Sequence, residues 1–313
     1  MKISIIIPIF NEEGNITQLY QEIKSVILSL DMDYEIIAVN DGSRDGSSAL
    51  LRNIANKDSR FKVINFRFNS GQTAAMSAGI RFATGDVVIP MDSDLQNDPK
   101  DIPRFLKKME EGFDVVSGWR KDRKDFAISR RLPSKIANWL IGFITGVWVN
   151  DYGCSMKAYK REIIQGIQLY GEMHRFIPAY ASWHGAKVTE IVVNHRPRIH
   201  GTTKYGISRT FRVLMDLIVV KFLSKYMNKP MHFFGGLGFT SFGIGLFSSL
   251  VTFVLKIFHL RDFVSTPLPI FSVFLMLAGI QLIAMGVIAE ILMRVYYESQ
   301  DRYPYHVTDT INL

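Results

Sequence analysis

Cysteine is almost absent from this 313-residue chain, in which Cys154 is the only one. A disulfide within the chain needs two cysteines and a cysteine-based zinc site needs more, so both are excluded. The seven histidines show no HExxH or other close metal-ligand spacing, which argues against a histidine zinc site. The glycine-rich GxGxxG and GxxxxGK[ST] signatures are also missing. A dinucleotide-binding enzyme and a P-loop NTPase are therefore not supported.

Acidic residues are in the minority, with 29 Asp and Glu against 37 Lys and Arg. The formal net charge is +8 and the isoelectric point is near 9.4. This balance favours anionic partners such as lipid head groups, phosphorylated ligands or nucleic acid. The apolar run at residues 3–9 is too short for a signal peptide and has no small-residue cleavage site. We expect the chain to begin as a folded strand in the cytoplasm.

Charged residues are missing from two long stretches, 233–255 and 267–289. Each exceeds the roughly 20 apolar residues that a helix needs to cross a bilayer. Both are rich in small residues, which suit close contact between helices in lipid. A pair of buried helices in a soluble core is the alternative. Lysines precede the first stretch and arginines follow the second, so the positive-inside rule places both flanks in the cytoplasm.

The N-terminal part alternates between strand and helix patterns. Short β-branched or aromatic runs predict strands at 3–9, 34–39, 61–66, 86–91 and 113–117, and the stretches between them predict helices at 16–30, 47–56, 73–83 and 102–111. This alternation is typical of right-handed βαβ units and a mostly parallel sheet. Such α/β sheets bind ligands beyond the carboxyl ends of their strands. Polar clusters occupy those positions, at 11–13, 40–43, 67–71 and 92–96.

The segment Asp92-Ser93-Asp94 is the centre of the predicted chemistry. Two carboxylates at i and i+2 of an extended backbone point to the same side and can hold one hard divalent cation. Gln96 continues the spacing and could add an amide oxygen. The alternative is that these aspartates cap a helix ahead of Pro99.

Basic residues concentrate at 120–135, ahead of a strongly apolar stretch at 136–149 with two tryptophans. A second mixed basic and apolar stretch covers 211–226. This combination predicts amphipathic helices in a membrane interface at about 134–149 and 210–229. A solvated basic loop with two core helices is the alternative. Nucleic acid is the less favoured partner, because membrane spans adjoin these segments.

Three motifs carry a resemblance to a known family: residues 5–13 (IIIPIFNEE), 39–43 (VNDGS) and 92–96 (DSDLQ). They resemble the signature of glycosyltransferase family 2 with the GT-A fold. Residues 151–159 (DYGCSMKAY) and 198–205 (RIHGTTKY) are similar to later motifs of its polyprenyl-phosphate glycosyltransferases, the group of dolichyl-phosphate mannose synthase and bactoprenol glucosyltransferases. Asn40 stands where many relatives have an acidic residue, and Thr203 replaces a serine.

The resemblance implies three sets of site residues. The nucleotide-sugar set is Pro8, Phe10, Glu12, Asp41, Arg67, Asn69, Gly71 and Asp92. The metal set, for Mg²⁺ or Mn²⁺, is Asp92, Asp94 and Gln96. The acceptor-phosphate set is Arg120, Arg130, Ser134, Arg198 and Lys204. Residues 69–71 could instead be a plain turn.

Asp151 is the best candidate for a catalytic carboxylate besides Asp94, because it directly follows an apolar run. It could orient the acceptor, act as a base or contact the sugar, and helix capping is the alternative.

These observations predict a GT-A (Rossmann-like) α/β domain over 1–209, an interfacial helix over 210–229 and a two-helix transmembrane hairpin over 230–296 with spans at about 233–256 and 268–292. A cytoplasmic tail at 297–313 could pair between protomers of a dimer or tetramer. His200 could line the acceptor pocket or have a packing role, and Cys154 is expected to be a small buried residue and not a nucleophile.

The resemblance implies an inverting, single-displacement transfer of glucose from UDP-glucose to undecaprenyl phosphate at the cytoplasmic face of the inner membrane. Mannose and a modified arabinose are alternative sugars, and a membrane-anchored nucleotide-sugar sensor or scaffold is an alternative function. A processive polysaccharide synthase typically carries QxxRW and more spans, and a flippase needs a larger membrane domain.

Overall fold

The computed structural model describes residues 1–121, 138–139, 141–143, 145–165, 167, 173–197, 230–298 and 305–313. The chain divides into two compact units, Met1–Lys221 with Tyr303–Leu313, and Phe222–Arg302.

The first unit is built on an eight-stranded sheet with the strand order β7-β5-β6-β4-β1-β2-β3-β8. Its strands are β1 (Lys2–Ile9), β2 (Asp33–Asn40), β3 (Phe61–Phe66), β4 (Val87–Pro90), β5 (Val115–Trp119), β6 (Lys157–Lys160), β7 (Val188–Val192) and β8 (Val307–Ile311). The pairs β1–β2, β1–β4, β2–β3 and β5–β7 are parallel. Strand β6 runs antiparallel to β4 and β5, and β8 runs antiparallel to β3. The predicted mostly parallel sheet is confirmed.

Helices follow the first four strands in the predicted alternation. They are α1 (Glu13–Leu28), α2 (Ser47–Ala55), α3 (Gln72–Phe82) and α4 (Ile102–Glu110), and two shorter helices follow, α5 (Arg161–Ile164) and α6 (Ile177–Trp183). Helix α1 shows why these segments fold as they do. Its buried apolar residues recur at helical spacing, at Ile16, Leu19, Ile23 and Ile27, so one face packs on the sheet and the other faces water.

A buried carboxylate locks the amino end of the sheet. Glu35, on β2, is 1% exposed and lies 2.8 Å from Lys62 Nζ and 3.3 Å from Lys2 Nζ. Ser4 Oγ and the Thr84 backbone N–H each donate a hydrogen bond to it at 2.6 Å. Burial alone would raise the pKa of the Glu35 carboxyl, but these hydrogen bonds outweigh burial and lower the pKa to about 2.

The C-terminal residues return to the sheet of the first unit. Strand β8 covers the edge of β3, which would otherwise present unpaired backbone groups. Tyr305 stacks on Phe66 with ring centroids 5.0 Å apart, and the Arg67 N–H donates to the His306 carbonyl at 3.1 Å. The tail is extended as expected over Val307–Ile311, and its strand partner here is β3 of the same chain. A dimer or tetramer stays a prediction.

The second unit contains two long helices, α7 (Pro230–Ile257) and α8 (Leu268–Glu298). Both are long and apolar enough to cross a bilayer. The mean hydropathy is 1.7 in Met231–Ile257 and 2.3 in Leu268–Ala289. The predicted spans fall within these helices.

Glycines set the distance between α7 and α8. A Cβ on Gly238 would lie 2.7 Å from the Gly279 carbonyl oxygen, and a Cβ on Gly279 would lie 2.7 Å from the Gly238 carbonyl oxygen. Ser241 Oγ, one turn further along α7, donates to the Leu275 carbonyl at 2.8 Å. The small residues therefore allow the close helix contact that their abundance predicted.

The predicted interfacial helix at 210–229 lies outside the described residues, and that at 134–149 is described in part. Residues 138–139, 141–143 and 145 are helical. Three large aromatic side chains here are exposed to solvent, Trp139 by 58%, Phe143 by 67% and Trp148 by 64%. An exposed aromatic surface of this kind suits a membrane interface.

Candidate functional site

The predicted polar clusters meet at one edge of the sheet. In the parallel register Ile9 lies beside Asn40 and Asn40 lies beside Asn65, so β1, β2 and β3 end side by side. Strand β4 pairs with the other side of β1 and leads into Asp92. The residues that follow these four strands therefore share one edge, as the alternating pattern predicted.

Asp41 organises the turn at residues 69–71 on this edge. It is buried directly after β2, and its Oδ1 accepts from the Ser70 N–H at 2.6 Å. Its Oδ2 accepts from the Gly71 N–H at 2.9 Å and from Asn69 Nδ2 at 3.0 Å. Burial raises the pKa of the Asp41 carboxyl, against the opposing effect of the two backbone donors. The turn at 69–71 is thus tied to Asp41, which brings three of the predicted nucleotide-site residues together.

The other predicted nucleotide residues lie around this turn. Pro8 is on β1, Phe10 directly follows it, and Arg67 is exposed directly after β3. Glu12 Oε2 accepts from Asn15 Nδ2 at 2.6 Å, so this carboxylate also holds the start of α1.

Asn40, which stands where many relatives have an acidic residue, has a structural role. Its Nδ2 donates to Asn65 Oδ1 at 2.9 Å, and its Oδ1 accepts from the Ser43 N–H at 3.1 Å. The amide therefore joins β2 to β3 and also fixes the loop that follows β2. A carboxylate at this position could not donate to Asn65 in this way.

Asp92 and Asp94 lie close together beyond β4. Asp92 Oδ1 accepts from Gln72 Nε2 at 2.7 Å, and Asp94 Oδ1 accepts from the Gln96 N–H at 3.2 Å. Burial and the neighbouring charge of Asp94 raise the pKa of the Asp92 carboxyl. Leu95, between Asp94 and Gln96, has a φ of 62°, a left-handed conformation that leucine rarely adopts. The surrounding fold thus imposes the geometry of this turn.

The alternative that these aspartates cap a helix is wrong. Asp98, which lies closer to Pro99, accepts from the Lys100 N–H at 3.0 Å and caps the helical turn Pro99–Asp101. Neither Asp92 nor Asp94 is the cap of this helical turn.

Asp151 and Arg120 form a buried ion pair. Arg120 Nε lies 2.7 Å from Asp151 Oδ2, and Nη2 lies 3.0 Å from Oδ1, so the guanidinium binds the carboxylate through two hydrogen bonds. Burial would lower the pKa of Arg120, but the Asp151 charge outweighs it and raises that pKa. Asp151 Oδ1 also accepts from the Gly153 N–H at 3.1 Å, so it caps its own turn rather than a helix.

Lys157 was not predicted as a site residue. It is 2% exposed on β6, and its Nζ donates to the backbone carbonyls of Tyr152, at 3.3 Å, and Cys154. Burial lowers the pKa of this ammonium to about 8. Cys154 is buried, as expected for a small core residue, and burial raises the pKa of its thiol to about 11. The buried thiol of Cys154 therefore does not have the environment of a reactive cysteine.

The segment 151–155 connects the two halves of the site. Ser155 Oγ donates to Asn97 Oδ1 at 3.0 Å, and that same oxygen accepts from the Asp92 N–H at 3.1 Å. The turn that holds Arg120 is thereby linked through two hydrogen bonds to the carboxylate pair.

His174 and Arg175 come from a short helical turn, Met173–Arg175. His174 is buried, and its Nδ1 lies 2.7 Å from Thr73 Oγ1 on α3. Burial, together with the charges of Arg175 and Lys157, holds the pKa of His174 well below its usual value. The hydrogen bond joins this turn to α3 next to Gln72, which contacts Asp92.

Four predicted acceptor-phosphate residues, Arg130, Ser134, Arg198 and Lys204, lie outside the described residues. Arg120 is the member of that set that the structure places in the site. Among the described residues, no group of three His, Cys, Asp or Glu side chains is placed to hold a metal. A cation bound by Asp92 and Asp94 would need further ligands, such as an amide oxygen, water or the phosphates of a donor.

Known proteins are similar to this domain in sequence. The family model described as "Glycosyl transferase family 2" matches residues 4–167. The chain is 41% identical to a dodecaprenyl-phosphate galacturonate synthase of Rhizobium johnstonii, over 99% of this chain and 93% of that protein. It is 36% identical to an undecaprenyl-phosphate 4-deoxy-4-formamido-L-arabinose transferase of Pseudomonas syringae, over 96% of this chain and 88% of that protein.

The fold is also found in a solved structure of a glucosyl-3-phosphoglycerate synthase from Mycobacterium tuberculosis, in complex with Mn²⁺, UDP and phosphoglyceric acid. The TM-score is 0.55 at 18% identity, over 71% of this chain and 78% of that chain. At this identity the likeness supports the GT-A fold alone. The family match over residues 4–167 and two relatives that align with nearly the whole chain make this protein a member of glycosyl transferase family 2, an enzyme with a GT-A-like domain followed by two apolar helices.

Proposed function

We propose that this enzyme transfers a sugar from a nucleoside diphosphate to a polyprenyl phosphate at the cytoplasmic face of a membrane. The observation that carries the proposal is the pair of relatives that align with at least 96% of the chain, because both are named for a polyprenyl-phosphate product or acceptor. The site supports the proposal with a carboxylate pair suited to a cation at one end and a buried arginine at the other.

The residues at the carboxylate end fit a divalent cation. Asp92 and Asp94 place two hard oxygen donors close together, and burial and the charge of Asp94 raise the pKa of Asp92. A bound cation would remove this repulsion, which is costly at a buried position. Asp92, Asp94 and Gln96 would hold Mg²⁺ or Mn²⁺ together with the donor diphosphate. When bound, the cation supplies Lewis-acid stabilisation of the charge on the departing diphosphate.

The proposed reaction is a single displacement. An oxygen of the lipid phosphate forms a bond to the anomeric carbon, and the bond from that carbon to the donor diphosphate breaks. The electron pair of the broken bond leaves with the nucleoside diphosphate, and the anomeric configuration inverts. Because the attacking phosphate is already an anion at neutral pH, positioning and charge stabilisation contribute more than removal of a proton.

Asp151 and Arg120 act as one unit in this proposal. The guanidinium suits the lipid phosphate, since arginine can bind two phosphate oxygens at once. The Asp151 carboxylate fixes the orientation of Arg120 through the two hydrogen bonds described above. The role proposed for Asp151 is therefore to orient the acceptor, in preference to acting as a base.

The membrane side of the proposal rests on the two apolar helices and on the exposed aromatic residues Trp139, Phe143 and Trp148. A lipid acceptor carries its phosphate at the membrane surface, where aromatic side chains favour the interface. We propose the inner membrane as the location and a cytoplasmic catalytic unit, following the lysines and arginines that flank the two spans.

The identity of the sugar is the finer part of the proposal. UDP-glucose is the donor expected from the sequence, whereas the relatives are named for galacturonate and for 4-deoxy-4-formamido-L-arabinose. We therefore propose a UDP-linked donor and test four sugars: glucose, galacturonate, the formamido-arabinose and mannose.

The test is transfer of radiolabelled sugar to a short-chain polyprenyl phosphate by the purified enzyme, with Mg²⁺ or Mn²⁺. The comparison is between the wild type, Asp94→Asn and a matched control, Asp114→Asn, whose carboxylate pairs with Lys160 at 2.6 Å on β6. We expect a lipid-linked product that EDTA and Asp94→Asn abolish and Asp114→Asn preserves. Donor binding without any lipid product, across all four sugars, would contradict the enzyme and favour the sensor.

A further inference from the structure

Two guanidinium groups approach one glycine beside the buried ion pair. A Cβ on Gly153 would lie 3.3 Å from Arg120 Nη2, 3.5 Å from Asp151 Oδ1 and 4.0 Å from Arg175 Nη1. The backbone of Gly153 therefore lies close to both arginines, and an added side chain would crowd the Arg120 guanidinium.

Arg175 is held rigidly on both sides. His174 bonds Thr73 at 2.7 Å, and Phe176 is fully buried with its ring 6.5 Å from that of Tyr152. Arg175 itself is partly exposed between these two buried neighbours. These contacts fix the backbone on both sides of Arg175.

A third cation strengthens the positive potential here. Lys157 is buried beneath the turn, and its pKa is lowered by burial and also by the charges of Arg120 and Arg175. The same two cations, Arg175 and Lys157, depress the pKa of His174. These mutual effects place the three cations within electrostatic reach of one another around residues 151–155.

We propose that Arg175 is a specificity-determining residue that binds an anionic oxygen group beside Gly153. Two ligands of the proposed reaction can supply that group: a carboxylate on the transferred sugar, as in a uronate, or the phosphate of the lipid acceptor. The inference rests on the proposed function, and it adds a residue to which neither the motifs nor the resemblance assigned a role. Arginine suits either anion, because its planar fork matches both carboxylate and phosphate.

The experiment separates the two sources of the anion. Steady-state KM and kcat are measured for UDP-galacturonate and for UDP-galactose, which differ only in the carboxylate at C6, and for polyprenyl phosphate. The variants are Arg175→Gln, Arg175→Lys and Gly153→Ala. Arg60→Gln is the matched control, because Arg60 lies at the amino end of β3, over the ring of Tyr34. Labelling of Cys154 by a maleimide checks that each variant is folded.

We expect Arg175→Gln to raise one KM about 10- to 100-fold, the range for a lost hydrogen bond between charged groups, with a smaller change in kcat. A rise confined to UDP-galacturonate identifies the sugar carboxylate. A rise for polyprenyl phosphate with either donor identifies the lipid phosphate. Arg175→Lys should lose less binding than Arg175→Gln, and Gly153→Ala should weaken binding of the same ligand.

The proposal is overturned if Arg175→Gln leaves every KM within twofold of the wild type, or if only kcat falls. If the wild type forms no lipid-linked product with these two donors or with the four sugars tested above, the proposed function fails but the inference is still tested. Calorimetric binding of UDP-galacturonate, UDP-galactose and polyprenyl phosphate then supplies the readout. Loss of affinity for one anion in Arg175→Gln supports the inference, and unchanged affinities for all three ligands reject it.

Discussion

Replacement of Asp151 by asparagine removes one charge of the bidentate pair with Arg120 and leaves the guanidinium without its counterion. The side chains are 6% and 14% exposed, so little water can replace the lost carboxylate. Breaking a buried ion pair by removing one partner costs about 3–5 kcal/mol. The partial exposure of Arg120 reduces this cost, and we expect a loss of about 2–4 kcal/mol in the free energy of unfolding.

A unit of this size loses about 2–4 °C of unfolding midpoint per kcal/mol, so the midpoint of Asp151→Asn should fall by about 5–15 °C. Cys154 provides the assay, because it is the only cysteine in the chain and is 1% exposed. A maleimide fluorophore reacts with it only when the first unit opens. The second unit contains no cysteine and does not contribute to the signal.

The double variant Arg120→Gln/Asp151→Asn tests whether the pair itself is responsible. Two neutral amides leave no buried charge, so the double variant should lose about 2 kcal/mol less than the sum of the two single losses. A fall of less than 2 °C for Asp151→Asn, or additive losses in the double variant, would refute the reasoning.

Three further predictions concern the stability of the two units. Glu35 has a lowered pKa, so the stability that its ionised carboxylate contributes is complete above about pH 4.5 and is lost as the pH falls towards 2. Glu35→Gln should lower the free energy of unfolding by roughly 3 kcal/mol at neutral pH. It should also reduce the loss of stability between pH 4.5 and pH 2 in acid denaturation curves. An unchanged acid limb would contradict this. Gly279→Leu should separate α7 from α8, because the new side chain would meet the Gly238 carbonyl. Gly243→Leu is the control and should be tolerated, because a Cβ at Gly243 has nothing within 4 Å. The two variants are compared by the amount of protein recovered from size-exclusion chromatography after heating, and equal recovery would argue against the glycine contact. Deletion of residues 306–313 exposes the edge of β3. It should lower the unfolding midpoint temperature measured by Cys154 labelling and increase the light scattering from aggregates. An unaltered midpoint temperature would show that β8 adds no stability.

Local patterns predicted much of the fold. The first five strands and four helices follow from the alternation of short β-branched or aromatic runs with helical stretches, and the two apolar helices follow from length and absence of charge. The carboxylate pair was predicted because the carboxyl ends of parallel strands share an edge. Each of these inferences depends on residues that are near one another in sequence.

Long-range pairing was not predictable in the same way. Strand β6 has four residues, begins with a lysine and runs antiparallel between β4 and β5, so neither its length nor its pattern distinguishes it from a loop. Lys157 is buried there because it can bond the carbonyls of the preceding turn, and no hydrophobic pattern encodes that. Likewise, the β8 partner depends on which edge of the folded sheet is open.

In the site, too, local features were predictable and long-range contacts were not. Asp151 and Arg120 were both singled out from the sequence, but their contact joins residues 31 positions apart and was not predicted. The His174 and Thr73 contact spans 101 positions. An arginine between a histidine and a phenylalanine, as at Arg175, was the available signal, and a single arginine is too common on protein surfaces to identify a site.

The chemical nature of the lipid product tests the central proposal most directly. Product from unlabelled donor and polyprenyl phosphate is examined by mass spectrometry and ³¹P NMR. Attack of the lipid phosphate on the anomeric carbon predicts a phosphodiester with one phosphorus atom, an inverted anomeric configuration and release of the nucleoside diphosphate. A lipid diphosphate with release of a nucleoside monophosphate, or hydrolysis of the donor with the lipid unchanged, would contradict it.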